Sequence, residues 1–228
     1  MSKIKTTFFT IFLSFILTAC GSGSSADLEY VALGASDAFG IGATPITNGY
    51  VYLIEEGIEA NGRETELENL GIPGAEIDNI KNLEFPFLDR DEPNLVTLST
   101  GVNDIIDGDD PVAFFEEDLK ELLEKIRDNT KDNAIIAISN IPNLLQVPRF
   151  IEEPDGDVTA ARIIAFNQAF ARQAAAAGAL LVDLNSLPIN ESLNRDEDGF
   201  HPNDAGHRAI ADAFLNVIVP QLGSISGQ

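Results

Sequence analysis

The sequence predicts one α/β domain, a mainly parallel sheet covered on both faces by helices. Three observations predict it. Five short apolar runs recur along the chain, stretches of helical spacing lie between them, and neither an internal repeat nor an internal linker breaks the pattern.

The first run, LEYVAL (28–33), reads as a buried strand. VYLIEEGIEA (51–60) places Val51, Ile54 and Ile58 at helical spacing. ETELENL (64–70) reads as a second strand, nearer an edge because of its charges, and NLVTLST (94–100) as a third. PVAFFEEDLKELLEKIRDN (111–129) is the clearest helix. Pro111 suits its first turn, and Phe115, Leu119, Leu122 and Ile126 fall on one face. NAIIAISN (133–140) is a fourth strand. Residues 158–177 form an Ala-rich helix stopped by Gly178. ALLVDL (179–184) is a fifth strand, and residues 203–219 a last helix.

Composition narrows the function. The 228 residues hold 14 Lys+Arg against 37 Asp+Glu, a net charge of −23, which repels phosphate backbones and argues against nucleic-acid partners. It argues equally against charge-driven binding to anionic lipid headgroups. The single cysteine, Cys20, excludes an intrachain disulfide and a zinc site built from several cysteines. Any imidazole chemistry must use His201 or His207.

Residues 1–19 read as a secretory leader: Lys3 and Lys5 precede an apolar run from Phe8 to Leu17. Leu17-Thr18-Ala19-Cys20 resembles a bacterial lipobox. That resemblance implies cleavage before Cys20, lipid on its thiol, and an extracytoplasmic place in a bacterial cell envelope. Gly21, where inner-membrane retention takes Asp, leans toward an outer membrane. Residues 20–27 would then be the lipidated cysteine and a flexible tether of about 15 Å typical reach. Multiple acyl chains would give stable anchoring. The domain itself occupies 28–228 and would sit close to the membrane, with membrane-derived acyl esters within reach.

In open α/β sheets, sites lie at the carboxyl ends of the strands. Gly34-Ala35-Ser36-Asp37 follows the first strand and places a serine at a helix start. Alone, a G-x-S triplet is weak, since about one is expected by chance, and a plain N-cap serine reads as well. Gly101-Val102-Asn103-Asp104 follows the third strand; an Asn there is a turn or cap residue, or an amide donor aimed at an oxyanion. Asp198-Gly199-Phe200-His201-Pro202 sets a carboxylate three residues before an imidazole, close enough to orient it. Asp204 and His207 repeat that spacing, so spacing does not choose. Position favours His201: Pro202 holds it outside the last helix, whereas Asp204 suits a first-turn acid and His207 a surface or packing role. Asn194, Asp196, Asp198 and Gly199 mimic half a calcium loop, but its twelfth position is Ala205 rather than Glu. Asp107, Asp109, Asp110 and the run 152–157 read as solvated loops.

Taken together, the blocks GASDAFG, NLGIPGAE, GVND and DGFHPNDAGH resemble, in order, those of the SGNH or GDSL hydrolases, and they span most of the chain after the tether. The resemblance implies a three-layer α/β/α sandwich on a five-stranded parallel sheet, flavodoxin-like in order. It implies Ser36 as nucleophile, His201 as base and Asp198 as orienting acid, which settles the choice against His207. It implies an oxyanion hole made by Ser36, Gly74 and Asn103, and a mechanism with no cofactor and no metal. One departure stands out: the namesake G-D-S is G-A-S here, with Ala35 in place of the acid. That acid is not a triad member, so only local loop bonding is affected.

The implied activity is serine-dependent cleavage of small-molecule acyl esters, of the esterase, lipase or lysophospholipase type. Leu144, Leu145, Val147 and Phe150 are candidates for an acyl pocket, with core packing equally open. A carbohydrate O-deacetylase or acyltransferase of the envelope is the second reading. A non-catalytic ligand-binding lipoprotein is the third, and it leaves Ser36, Asn103 and His201 unexplained.

Overall fold

The computed structural model describes residues 26–88, 92–108, 111–189 and 198–225. The segment read as a leader, 1–19, Cys20, and the residues read as a tether up to 25 lie outside the described residues, as do Asp109, Asp110, Asn194 and Asp196.

Five strands form one parallel sheet: β1 (Leu28–Gly34), β2 (Thr65–Asn69), β3 (Leu95–Ser99), β4 (Ile135–Ser139) and β5 (Leu180–Val182). Their order is β2-β1-β3-β4-β5, as in flavodoxin-like sheets. The chain winds one way from β1 to β2 and the other way from β3 onward. A crevice therefore opens between the carboxyl ends of β1 and β3. The charged run is an edge strand as expected: Glu66 and Glu68 point to solvent from β2.

Each central strand feeds both faces with period two. Val31 and Leu33 of β1, Val96 and Leu98 of β3, and Ile136 and Ile138 of β4 enter one core. Leu28, Tyr30 and Ala32, with Leu95, Ile135 and Ala137, enter the other. The first core is closed by α6 (Val112–Asp128) and α8 (Ala160–Ala177), the second by α2 (Tyr50–Ala60) and α9 (Asp204–Ile218). The result is the three-layer α/β/α sandwich.

Helix ends follow local chemistry. The Ala-rich helix begins at Ala160, two residues later than its pattern, because Thr159 caps it by accepting the Arg162 N–H; left-handed Gly178 ends it. Asn203 caps α9 by accepting the Gly206 N–H, so that helix starts one residue late. Pro111 stands at the cap of α6 rather than inside its first turn.

The short helices escape the periodicity argument, since one turn has no period. They are α1 (Ser36–Phe39), α3 (Ile77–Asn79), α4 (Phe85–Leu88), α5 (Val102–Asp107) and α7 (Pro148–Glu152). A π-helical stretch, Ile80–Glu84, joins α3 to α4. Four of these pieces begin within a few residues of the carboxyl end of a strand or of its loop, and they carry the site.

Candidate active site

The crevice is built from one residue after another at strand ends. Ser36 is the first residue of α1, so its N–H has no intrahelical acceptor and stays available. The turn before it requires glycine. Gly34 has φ +153°, and a Cβ there would stand 2.5 Å from the Ser99 carbonyl oxygen on β3. The turn is also tied to its neighbours: Ile72 N–H donates to the Gly34 carbonyl, and Gly34 N–H donates to Glu84 Oε2 at 2.8 Å.

His201 stands outside α9, as Pro202 demands, and its ring lies between an acid and the serine. Its Nδ1 is 2.7 Å from Asp198 Oδ2, and its Nε2 is 2.9 Å from Ser36 Oγ. With Nδ1–H donated to the carboxylate, Nε2 is left to accept from the hydroxyl. Asp198 is fixed in turn, since its Oδ1 accepts the N–H groups of Phe200 and His201. Partial burial pushes its carboxyl up, but these bonds and the His201 ring outweigh burial and hold it below the ordinary carboxylate range.

The rival histidine is elsewhere engaged. His207 is fully buried, accepts the Tyr50 N–H on Nδ1 and donates Nε2–H to the Ile41 carbonyl. Burial lowers its pKa, which keeps it neutral and inside the packing; it is no surface residue. Asp204 does not orient it. Its carboxylate accepts from Thr44 N–H and Asn48 Nδ2, tying α9 to the loop after α1.

Two further loops close the crevice. Gly74 has φ +82° and open space around a Cβ, so conformation rather than crowding calls for glycine. Asn103, in the first turn of α5, donates one amide N–H to the Ala75 carbonyl at 2.8 Å. Next to it, Asp104 Oδ1 accepts the Ile77 N–H. These two bonds lock the loop carrying Gly74 to the helix carrying Asn103. The second N–H of the Asn103 amide is left for a ligand.

An apolar wall continues from these groups. Leu144, Val147, Leu187, Ile189, Phe200 and Ile210 line the same groove as Ser36, Asn103 and His201. Of the four residues expected to form an acyl pocket, Leu144 and Val147 line the groove. Leu145 points to solvent, and Phe150 is buried in the core edge-on to Phe200. Leu187, Ile189 and Ile210 carry no signal in sequence, since they come from the chain after β5 and from α9.

The geometry agrees with the sequence comparison. A model of the GDSL-like lipase/acylhydrolase family matches residues 32–209. The chain belongs to this family. Family membership makes it a carboxylic ester hydrolase. No curated protein matches the sequence. Solved structures show the same fold at low identity. One is TesA, with TM-score 0.69 and 21% identity over 85% of this chain and 99% of that one. Another is the psychrotrophic esterase EstA from Pseudoalteromonas sp., inhibited by monoethylphosphonate, at 0.67 and 22% over 86% and 100%. A third is Axe2, an acetylxylan esterase from Geobacillus stearothermophilus, at 0.67 and 19% over 85% and 94%.

In this GDSL-like chain, which has Ala35 before the serine, an acid follows it at Asp37. Asp37 Oδ2 accepts the Ser99 hydroxyl at 3.0 Å, and Ser139 donates to the Ser99 hydroxyl in turn. The nucleophile loop is thereby bonded across β3 to β4. Sequence reading did not foresee this role, nor that of Glu84. Among the described residues, no group of three His, Cys, Asp or Glu side chains is placed to hold a metal ion.

Proposed function

We propose that the enzyme cleaves acyl esters with Ser36 as nucleophile, His201 as general base and Asp198 as its orienting carboxylate. The observation that carries this reading is the pair of short contacts, 2.7 Å and 2.9 Å, that line up carboxylate, imidazole and hydroxyl. Ser36 Oγ attacks the ester carbonyl as its proton passes to His201 Nε2. The carbonyl oxygen becomes an oxyanion, held by the N–H groups of Ser36 and Gly74 and the Asn103 amide. His201 returns the proton to the departing alcohol, and water repeats the sequence to release the acid. The apolar groove beside Ser36 favours an ester with an acyl chain over a polymer-bound acetyl group. Lipid on Cys20, after removal of residues 1–19, would place the domain 28–228 at the outside of a bacterial membrane.

The test is hydrolysis of p-nitrophenyl esters from acetyl to palmitoyl by the full chain and by Ser36→Ala. We expect turnover that falls by roughly 10⁴ or more in the variant. A Ser36→Ala protein with half the wild-type rate would reject the nucleophile. A chain-length optimum at acetyl alone would move the reading to a deacetylase.

A further inference from the structure

Resting on the assignment of Ser36 and His201, we infer that His207 and Asp204 are positioning residues for the reaction: by gripping the segment 40–44 they set the distance between nucleophile and general base. That segment follows α1 and touches both partners. Its first residues hold the nucleophile, because the Gly40 and Ile41 N–H groups donate to the Ser36 carbonyl at 3.1 Å and 2.8 Å. Its middle lies against the base. Gly42 has φ +101°, and a Cβ there would run into the Pro202 carbonyl oxygen and stand 3.5 Å from His201 Cβ. The backbone from Gly40 to Gly42 is therefore the spacer between Ser36 and His201.

Helix α9 holds this spacer at two points. His207 Nε2–H donates to the Ile41 carbonyl at 2.9 Å, on the residue whose N–H holds Ser36. Asp204, one turn earlier, accepts the Thr44 N–H at 2.8 Å. The same helix starts just after Pro202, so the element that grips the spacer also fixes where His201 stands. The second nitrogen of His207 anchors the ring to α2: Nδ1 accepts the Tyr50 N–H at 3.2 Å, and the two rings lie nearly parallel, 6.3 Å apart. The position asks for one donor and one acceptor on a rigid plane, which a neutral imidazole supplies. Burial favours that neutral form. With both nitrogens engaged and the ring fully buried, His207 carries no proton in the reaction. It acts through geometry, and a misplacement of about 1 Å between reacting groups can cost roughly 10² in rate.

The experiment measures turnover per competent site in the full chain. A fluorophosphonate taken to complete labelling counts the sites, and steady-state hydrolysis of p-nitrophenyl butyrate gives kcat per site and KM. Two substitutions at His207 separate its two bonds. Gln extends an N–H as far as Nε2 does and can keep the bond to Ile41. Asn reaches only the place of Nδ1 and can keep the bond to Tyr50 alone. We expect His207→Asn to lower kcat per site by about 10- to 100-fold with KM little changed, and His207→Gln to stay within about threefold of wild type. A role in packing alone would lower the number of sites and the Tm of both variants and leave kcat per site unchanged; that result overturns the inference. So does a kcat kept by Asn and lost in Gln, since it would put the weight on Tyr50. Asp204 is exposed, so its variants test the same spacer even where a buried substitution fails to fold. Asp204→Ala should lower kcat per site by about threefold or more, and Asp204→Asn, which keeps an acceptor for Thr44, should restore most of it. An unchanged kcat per site in Asp204→Ala counts against the inference while Ser36-dependent turnover keeps the hydrolase reading. Turnover that survives Ser36→Ala removes that reading itself.

Discussion

At the scale of the residue, the site depends on atoms that each do one thing. Asn103 is the clearest case. One N–H of its amide donates to the Ala75 carbonyl, which holds the amide in place and leaves the other N–H to donate elsewhere. In the proposed oxyanion hole, a donor held in this way would stabilise the oxyanion more than the ground-state carbonyl, and its loss should appear in kcat. We expect Asn103→Ala to lower kcat by about 10²–10³ with KM little changed, measured by steady-state kinetics on a p-nitrophenyl ester. An unchanged kcat would remove Asn103 from the oxyanion hole. Asp198→Asn keeps the shape and the contact to His201 but not the charge that holds the Nδ1–H tautomer. A fall in kcat of roughly 10⁴ is expected, by analogy with other serine triads. Loss of only a few-fold would mean that the backbone and packing orient the ring without the acid.

At the scale of the element, the turn before Ser36 rests on a carboxylate from another layer. Glu84 ends the π-helical stretch, is 1% exposed, and gives Oε2 to the Gly34 N–H while its Oε1 has no partner. Burial raises its pKa to about 8, only partly offset by the backbone N–H it accepts. An unfolded chain would titrate Glu84 near its ordinary value of 4.5. Between those two values the folded state binds the extra proton, so its stability falls as pH rises from about 4.5 to about 8 and levels off above. Asp104, raised to about 7 by burial, adds a similar loss over a narrower window. Glu84→Gln keeps an acceptor for Gly34 and cannot ionise. Its stability relative to wild type should therefore grow with pH, by on the order of 3 kcal/mol between pH 5 and pH 8, in urea unfolding at both pH values. A pH-independent difference would show that Glu84 does not titrate in this range. Such a residue illustrates what sequence can and cannot reveal. Ser36, Asn103, Asp198 and His201 were legible because each sits in a short block directly after a strand or before a helix. Glu84 reaches Gly34 across 50 positions, so that contact has no local signature. The long elements were legible for the opposite reason, since α6 buries Phe115, Leu119, Leu122 and Ile126 on a period that a window of residues displays. One-turn helices such as α5 and α7 offer no such window.

At the scale of the whole molecule, the direction of β1 decides which way the active site looks. The strand enters the sheet at Leu28, next to the tether, and leaves it at Gly34, two residues before Ser36. Seven residues of strand put those ends about 20 Å apart, with Leu28 at one pole of the sheet and the crevice at the other. A domain of this size has a diameter of about 43 Å, from a radius of gyration near 16.5 Å. If Cys20 carries lipid, the tether 20–27 spans at most about 28 Å and typically about 15 Å. That is too short to pass around the domain and let the crevice face the anchoring membrane. With such an anchor, topology would turn around the expectation of membrane-derived esters: the crevice would face away from the anchoring leaflet, toward soluble esters. The lipidated full chain, reconstituted in vesicles, should hydrolyse a soluble butyryl ester at the rate of the unlipidated protein. It should hydrolyse a fluorogenic phospholipid ester in its own vesicle slowly. Inserting about 20 Gly/Ser residues after Ser25 lengthens the maximum reach by about 70 Å and should raise the second rate at least several-fold while leaving the first alone. Fast hydrolysis of the same-vesicle ester by the short-tethered protein, unchanged by the insertion, would mean that the crevice reaches the membrane and that the tether does not set its orientation.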